Sequence, residues 1–364
     1  MFVLVCVGCG AELTAPLSRV ALPAHARQTY GNGLQLPVLM EPGTFAVELE
    51  PWGPPGRRRE RNEPGETAAR GIHVPVPASP EDSPGTVVIA PGDTRGTVLV
   101  PEKRGGACCG FDGSDGPNLA CVACGLPVAS RIDDCSLWQA VWFAPNAVRR
   151  LPIRDAAAPL SSWADLLAAG AGVPPSEPIA SWGEPFRASD RWHWSPQWVA
   201  AAGQTLAHLL VASDGRAVDV PTGLTATMFQ RALDTLLPAG GTRRRAVLAG
   251  PGQPAHDDAD ILLVPSHPQT GEAWTPAAPA RWAPLPFGVW LRLVFPEAHL
   301  YAPASGTIPY GVLRDDPPTP TVHDAFRIDW DVFQRTLNRL PAARVPWLRE
   351  ITDRLSRHRR TGLL

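Results

Sequence analysis

The sequence predicts an α+β protein made of two regions that differ in character. Residues 1–149 contain short apolar runs separated by Gly- and Pro-rich turns, a pattern typical of short strands, and all seven cysteines lie there. Residues 150–364 combine amphipathic helical stretches with short buried runs, which predicts a mixed α/β region. A chain of 364 residues is long enough for each region to form its own core.

The composition argues against several classes of protein. Apolar residues make up 44% and charged residues 19%, which are globular values rather than those of a disordered chain. The net charge of -2 argues against a strongly basic nucleic-acid coat protein. The 42 prolines and 33 glycines indicate long stretches of loop and turn. Among the 33 basic residues only Lys103 is a lysine, a bias that indicates a GC-rich bacterial coding sequence.

The start of the chain predicts no targeting segment. Residues 1–9 are apolar, but they carry no basic segment and no small-residue cleavage site, and they are too short for a signal sequence. No run of 18 apolar residues occurs, so we expect no membrane partner. An odd number of cysteines that includes two Cys-x-x-Cys pairs favours metal binding in a reducing cytoplasm over a disulfide framework.

The N-terminal region is predicted to fold from short strands joined by turns. Tight turns are expected at residues 6–10 and 30–33, and the apolar run 137–143 predicts a buried strand or a short helix. Residues 51–85 are rich in Pro, Arg and Glu without apolar periodicity, so we expect an exposed inserted loop there. The predicted strands are residues 2–5, 34–40, 87–90 and 97–100, with one more beginning at residue 13.

Capping residues and apolar periodicity place the helices of the C-terminal region. Ser162 can cap a helix over residues 163–169 that ends at Gly170, and Ser195-Pro196 marks the start of another. Residues 209–220 leave two alternatives open, the end of that second helix or a hairpin that turns at Asp214-Gly215. The remaining predicted helices cover 224–237, 330–340 and a segment opened by Pro346. The predicted buried strands are residues 245–250, 261–265 and 289–295.

Two cysteine pairs share one pattern, Cys6-Val-Gly-Cys9-Gly and Cys121-Val-Ala-Cys124-Gly. A Cys-x-x-Cys turn directs two thiolates towards one point, and the glycine that follows permits the positive φ that such a turn needs. Two such turns supply four sulfurs in a tetrahedron, the geometry that Zn²⁺ prefers. The sequence therefore predicts Zn²⁺ as a cofactor, held by Cys6, Cys9, Cys121 and Cys124.

These paired knuckles resemble those of the zinc-ribbon family over about forty residues. The resemblance implies a structural metal ion, because four cysteine ligands leave no open position for water or substrate. The spacing departs from the usual ribbon, since 111 residues separate Cys9 from Cys121. The ribbon is therefore expected to be discontinuous and to carry a long insertion, which is tolerable because the cost of loop closure grows only with the logarithm of its length.

Two alternatives to this long-range site remain open at the level of the sequence. Cys109, Cys121, Cys124 and Cys135 form a local set whose spacing also suits zinc, and the chain could bind no metal at all. No role is assigned to Cys108, since adjacent cysteines cannot easily face one metal ion.

A ligand pocket is a second hypothesis, placed within residues 180–300. Trp192 and Trp194 lie close in sequence to His193 and Arg191, a combination that could stack a planar ligand and bind its anionic group. His256 and Asp258 precede a buried strand and could serve hydrolytic chemistry. Core packing of the tryptophans and a solvated loop at 251–260 are the simpler interpretations of both features.

These features lead to two functional hypotheses of different class. The first is a non-catalytic, zinc-binding accessory protein of the cytoplasm that engages a protein or nucleic-acid partner. That partner would bind the ribbon, the inserted loop, or the arginine groups at 57–59, 243–245 and 357–360. The alternative is an enzyme, such as a hydrolase, with its pocket in residues 180–300 and the zinc as a structural staple.

Overall fold

The computed structural model describes residues 1–29, 34–48, 60–61, 77–78, 85–103, 105, 109–153, 159–178, 180–181, 192–256, 258–276, 280–296 and 325–360. The described part is a mixed α/β protein with six α-helices and several sheets. Its N-terminal strands are β1 Phe2–Cys6, β2 Ser18–Arg19, β3 Leu34–Gln35, β4 Thr44–Glu48, β5 Glu60–Arg61, β6 Pro77–Ala78, β7 Thr86–Ile89, β8 Thr97–Leu99, β9 Leu119–Cys121, β10 Pro127–Ile132, β11 Ala140–Phe143 and β12 Val148–Pro152.

Helices enter the chain after β12. In order, the elements are α1 Trp163–Ala169, β13 Ser176–Pro178, β14 Ala180–Ser181, β15 Trp192–Trp194, α2 Pro196–Ser213, β16 Val218–Asp219, α3 Leu224–Leu236, β17 Arg244–Leu248, β18 Ile261–Ser266, β19 Arg281–Pro286, α4 Phe287–Val294, α5 Trp330–Arg339 and α6 Pro346–Arg360. No helix in these ranges combines the length and the apolar character needed to cross a bilayer.

A seven-stranded sheet organises the N-terminal half, with its strands in the order β2-β4-β7-β11-β10-β9-β8. Successive residues of its central strands point to opposite faces, and both faces are buried. Val87, Ile89 and Phe143 face one apolar cluster, while Val88 and Trp142 face another. Strands β1 and β12 pair antiparallel, and Leu4 and Val148 from this two-stranded sheet join the first cluster. The two-stranded sheet thus places the first cysteine pair against the seven-stranded sheet.

A four-stranded parallel sheet organises the C-terminal half, in the order β16-β17-β18-β19. Parallel sheets are normally covered on both faces, and alternate residues of β18 do contribute to two different clusters. Ile261 and Leu263 face a large core that includes helices α2 to α6, whereas Leu262 and Val264 face a smaller one. The strands therefore consist largely of apolar residues rather than alternating ones.

The predicted helix starts and stops in this half are confirmed. Ser162 caps α1 in a capping box with Asp165, and Gly170 ends the helix with φ of 62°. Helix α2 begins at Pro196 and continues to Ser213, so the hairpin alternative for residues 209–220 is wrong. Asp214, in the left-handed conformation at φ 56°, caps the end of α2.

One strand prediction in the C-terminal half is wrong, and the sequence does not predict the strand that lies beside it. Residues 289–295, predicted as a strand, lie mainly in helix α4, where Phe287, Trp290 and Leu291 are all buried at helical spacing. The strand of this segment lies just upstream, as β19. Its sequence does not predict a strand, because it contains Pro284 and Pro286. Proline lacks an N–H donor, and β19 tolerates it because it is an edge strand with one hydrogen-bonded neighbour.

Several sequence predictions fall outside the described residues. These are the turn at 30–33, Cys108, Arg191 and nearly all of the inserted loop at 51–85. Of that loop, the structure describes β5 and β6, which pair antiparallel. Residues 34–40 form a strand only at Leu34–Gln35, and β12 runs across residue 149 to pair with β1.

Direct hydrogen bonds connect the two halves of the molecule. The Ala21 N–H donates to the Pro268 carbonyl at 3.0 Å, and Gln28 Nε2 donates to the Pro196 carbonyl, also at 3.0 Å. Strand β3 also pairs with β14, which lies far along the chain. The two sheets are thus held at a defined junction beside the start of α2.

Candidate metal centre

The two Cys-x-x-Cys turns have the same backbone hydrogen bonds. In the first, the Gly10 N–H donates to the Cys6 carbonyl and the Cys6 N–H donates to the Ala11 carbonyl, both at 2.9 Å. In the second, Gly125 and Cys121 make the equivalent two bonds at 2.8 Å, the latter to Leu126. The glycines have φ of 77° and 74°, as the sequence predicted. One knuckle follows β1 and the other connects β9 to β10.

Packing of these strands in one apolar cluster, which contains both Cys6 and Cys121, brings the two knuckles together. The four Sγ atoms of Cys6, Cys9, Cys121 and Cys124 all lie within 4.8 Å of one another. The distance is 3.6 Å from Cys6 Sγ to Cys124 Sγ and also from Cys9 Sγ to Cys121 Sγ. Sulfurs about 2.3 Å from a tetrahedral ion would lie about 3.8 Å apart, so this group can hold one metal ion.

Each knuckle has one buried and one exposed cysteine. Cys6 and Cys121 end their strands inside the core at 0% and 1% exposure, whereas Cys9 and Cys124 are exposed. The two buried cysteines are therefore fixed by the core, and the two exposed cysteines complete the group on the solvent side. Gly8 also lies close to the sulfurs, since a Cβ there would be 3.4 Å from Cys124 Sγ.

Backbone N–H groups and neighbouring thiols set the acidity of these cysteines. Burial opposes ionisation of Cys121, but hydrogen bonds from the Cys124 and Ala123 N–H groups and from Cys9 lower the pKa of Cys121 to about 7. The Leu126 N–H favours the Cys124 thiolate, but the hydrogen bond with Cys6 and desolvation raise the pKa of Cys124 to about 12. The negative charge of one thiolate thus opposes ionisation of the neighbouring thiol. A cation bound among the four sulfurs would offset that repulsion.

The four cysteines of the local alternative set belong to two separate groups in the structure. Cys121 and Cys124 join the N-terminal pair, whereas Cys109 and Cys135 lie in a second group with Asp134. The ligand atoms of this second group also lie within 4.8 Å of one another. Asp134 was not identified from the sequence, because a single aspartate in a turn-rich segment carries no distinguishing signal.

Part of the predicted ligand pocket lies at the junction of the two halves. His193 and Trp194 line a cleft of about 600 Å³, together with Arg27, Gln28 and Arg327. The Trp194 ring meets Phe326 edge to face at 5.0 Å. Two of the lining residues carry a buried polar atom, Gln28 Oε1 and His193 Nε2, that makes no hydrogen bond within the part of the chain that the structure describes. Gln28 and Arg327 were not identified from the sequence.

His256 and Asp258, the other predicted pocket residues whose side chains the structure describes, do not line this cleft. Arg191 lies outside the described residues, and of Trp192 only the backbone, in β15, is described. Asp258 forms an ion pair with Arg245 instead. His256 is half-buried, and neither it nor Asp258 belongs to a metal-binding group among the residues described.

The arginine group at 243–245 is neutralised within the fold. Arg243 forms ion pairs with Asp219 at 2.6 Å and Asp234 at 2.9 Å. Arg244 is only 5% exposed and donates from Nε to the Ser213 carbonyl. This segment therefore offers little positive charge to a nucleic acid.

Comparison of the chain with protein-family models, curated proteins and solved structures finds no match. The fold and the site together define a mixed α/β protein in which two distant cysteine pairs form a group able to hold a metal ion.

Proposed function

We propose that Cys6, Cys9, Cys121 and Cys124 bind one Zn²⁺ and form a zinc ribbon with a long insertion. The observation that supports this most directly is the approach of four sulfurs to within 4.8 Å from knuckles 112 residues apart. Four thiolates suit Zn²⁺ better than Mg²⁺ or Ca²⁺, which prefer oxygen ligands. The thiolates would be maintained by a reducing cytoplasm, where we place the protein.

The zinc would be structural rather than catalytic in this proposal. A complete set of four protein ligands leaves no position for water or substrate, so binding energy goes into folding. The ion would fasten the end of β1 to the β9–β10 hairpin. It would then support a rigid surface formed by the two knuckles.

We infer that this surface engages a protein partner. The residue after the first cysteine of each knuckle is an exposed valine, with Val7 at 51% and Val122 at 65% exposure. Val98, on the adjacent edge strand β8, is 53% exposed. Apolar side chains at the tips favour a protein over a nucleic acid, and so do the net charge of -2 and the ion-paired Arg243.

Metal analysis of exposed-cysteine variants tests the zinc assignment. Cys9→Ser and Cys124→Ser are the best variants, because both side chains are exposed and the substitution leaves the core intact. Each is expected to contain about one zinc ion per chain fewer than the wild type, by elemental mass spectrometry. A zinc content unchanged in both variants would overturn the assignment.

A capture experiment tests the partner surface. The double variant Val7→Ser, Val122→Ser should lose a protein that the wild type captures from lysate and that chelation also releases. The matched control is Leu160→Ser, because Leu160 is 64% exposed but lies away from the knuckles in sequence. Equal capture by wild type, double variant and control would contradict the proposed surface. So would capture of nucleic acid alone.

The cleft at the junction supports a second candidate function, the binding or conversion of a small molecule. Its supporting observation is that Gln28 and His193, each with a buried polar atom that makes no hydrogen bond among the described residues, line a cleft together with Arg327. A ligand with N–H donors for the Gln28 amide oxygen and an anionic group for Arg327 would suit this lining. Mass spectrometry of small molecules released on denaturation tests this. A compound retained by the wild type but lost in Arg327→Ala is expected, and no difference between the two would count against it.

A further inference from the structure

We propose that Cys109, Asp134 and Cys135 form a second metal site, which binds Zn²⁺ through three protein ligands. Their two sulfurs and one carboxylate oxygen lie within 4.8 Å of one another. This group shares no residue with the four-cysteine group, so it does not depend on the function proposed above. It would take a thiophilic divalent cation, since thiolates favour Zn²⁺ over Mg²⁺ and Ca²⁺.

The backbone brings the two cysteines into register. Phe111 and Asp133 exchange N–H···O bonds of 3.0 and 2.8 Å, which makes them a hydrogen-bonded antiparallel pair. Cys109 lies two residues before Phe111 and Cys135 two residues after Asp133, so the antiparallel direction of this pair brings both cysteines to the same end of it. Gly110 permits this close approach, because a Cβ there would lie 1.7 Å from the Asp133 carbonyl oxygen.

Hydrogen bonds orient the carboxylate of the third ligand. Asp134 Oδ1 accepts the Cys109 N–H at 2.9 Å and the Gly110 N–H at 3.1 Å. These bonds fix the side chain beside the two sulfurs before any ion binds. Metal-binding carboxylates are typically held in this way by outer hydrogen bonds, which set their orientation and raise affinity.

The backbone after Cys135 has an unusual conformation that repeats a feature of the knuckles. Ser136 has φ of 71°, the left-handed region that side chains other than glycine seldom adopt. The residues after Cys9 and Cys124 have almost the same φ, but both are glycines. Strain retained in a non-glycine residue is concentrated at functional sites in proteins, and here it immediately follows a buried ligand.

The coordination chemistry of this group differs from that of the four-cysteine site. Two thiolates and one carboxylate leave the fourth tetrahedral position of Zn²⁺ to an exchangeable ligand such as water. Cys135 is buried at 1% exposure, while Cys109 and Asp134 are half-buried, so solvent can reach the open side. We therefore expect an ion that chelators remove more readily than the ion of the closed site.

The two sites lie at opposite ends of one strand. The second knuckle precedes β10, and Asp134 and Cys135 follow its last residue, Ile132. Six strand residues span about 20 Å, which is too far for the two groups to share an ion. Variants of one site can therefore be read independently of the other.

Zinc stoichiometry tests the proposal on the full-length protein purified with a reductant and without chelator. The wild type should contain about two zinc ions per chain, and Cys9→Ser and Cys109→Ser about one each. Asp134→Asn keeps an oxygen that accepts the Cys109 and Gly110 N–H groups but removes the charge, so zinc affinity at this site should fall at least about tenfold. The control Asp133→Asn, which loses an ion pair with Arg131 in the same turn, should retain two.

Alkylation of the half-buried Cys109 in the wild type gives a second readout that needs no variant. Added Zn²⁺ should slow its reaction with iodoacetamide, and a chelator should restore the rate. Two results together would overturn the second site and leave the first intact. The wild type would contain about one zinc ion, which only Cys9→Ser removes, and Cys109 would be alkylated at the same rate with and without Zn²⁺. A Cys109–Cys135 disulfide in freshly isolated protein would also overturn it.

Discussion

At the scale of single residues, the conformation of Gly10 and Gly125 can be tested directly. Both have positive φ, and a Cβ at either position would meet no atom within 4 Å. The cost of Gly10→Ala or Gly125→Ala is therefore backbone strain alone, and we expect each variant to lower the free energy of unfolding by about 1 kcal/mol. Denaturant titration at a fixed zinc concentration measures it.

Gly92→Ala is the matched control for these two variants. A Cβ at Gly92 also meets no atom within 4 Å, but its φ lies outside the left-handed region. The control should be neutral or slightly stabilising, because alanine restricts the unfolded chain. Equal effects at all three glycines would contradict the role of positive φ in the knuckles.

A buried histidine predicts how stability depends on pH. His25 is 7% exposed and its ring centroid lies 4.5 Å from that of Trp138, and burial lowers the pKa of His25 to about 3. The unfolded chain binds a proton near pH 6.5, so this contribution is complete above that pH and is lost as the pH falls towards 3. Between pH 7 and 5 the free energy of unfolding should fall by about 2 kcal/mol through His25.

His25→Phe isolates that contribution, because phenylalanine keeps a planar ring against Trp138 but does not titrate. The decrease in stability between pH 7 and 5 should be about 2 kcal/mol smaller in the variant than in the wild type, measured by denaturant unfolding at each pH. The direction matches that of His208, whose pKa burial lowers to about 4. Parallel pH profiles for wild type and variant would exclude His25 as the source.

The sequence reveals site residues only where their chemistry carries a pattern. The four knuckle cysteines could be predicted, because the spacing of each pair and the glycine that follows report a specific turn. Asp134 and Gln28 could not be predicted, because what singles them out is contact with residues distant in sequence. Gln28, for example, donates to the Pro196 carbonyl 168 residues later.

At the scale of elements, the crossing of helices α2 and α5 depends on one small residue. A Cβ at Gly203 would lie 2.3 Å from the Asp329 carbonyl oxygen, and no rotamer change can relieve a contact between backbone atoms. Helix propensity alone would favour Gly203→Ala by about 1 kcal/mol. Overpacking outweighs this, and we expect a net loss of about 1–3 kcal/mol in the free energy of unfolding.

Gly172→Ala provides the comparison for that variant. There the three atoms nearest to the new Cβ all belong to the Arg292 side chain, which is long enough to move aside. Its effect should be below about 1 kcal/mol by the same thermal or denaturant unfolding measurement. A stabilised Gly203→Ala protein would mean that the two helices can separate at little cost.

Element type was predictable where caps and periodicity agreed, as for α1 with Ser162 and Gly170 at its ends. It was not predictable for residues 281–295, where β19 runs directly into α4 without an intervening loop. The two prolines in β19 argue against a strand. The apolar run that follows lacks a polar face, so its helical periodicity cannot be recognised from the sequence. The strand assignment depends on position at the sheet edge, a tertiary property that the sequence pattern does not report.

At the scale of the whole molecule, we propose that the two halves unfold as separate cooperative units. Each half has its own apolar clusters, and Cys6 and Cys121 belong to one of those in the N-terminal half. Removal of the proposed zinc ion by a chelator should therefore speed amide hydrogen exchange in β1, β9 and β10 and leave β17, β18 and β19 nearly unchanged. Exchange mass spectrometry measures this, and an equal increase in both halves would show a single unit.

The long separation between the two knuckles also sets an order of events during synthesis. Cys9 leaves the ribosome 112 residues before Cys121, so at translation rates of roughly 5–20 residues per second its partner follows on the order of ten seconds later. Through that interval the first two thiols are exposed on a nascent chain without their closing ligands. Strand β1 can pair only later still, because its partner β12 ends at Pro152. Oxidants and stray metal ions would therefore act on this protein most effectively while it is being made.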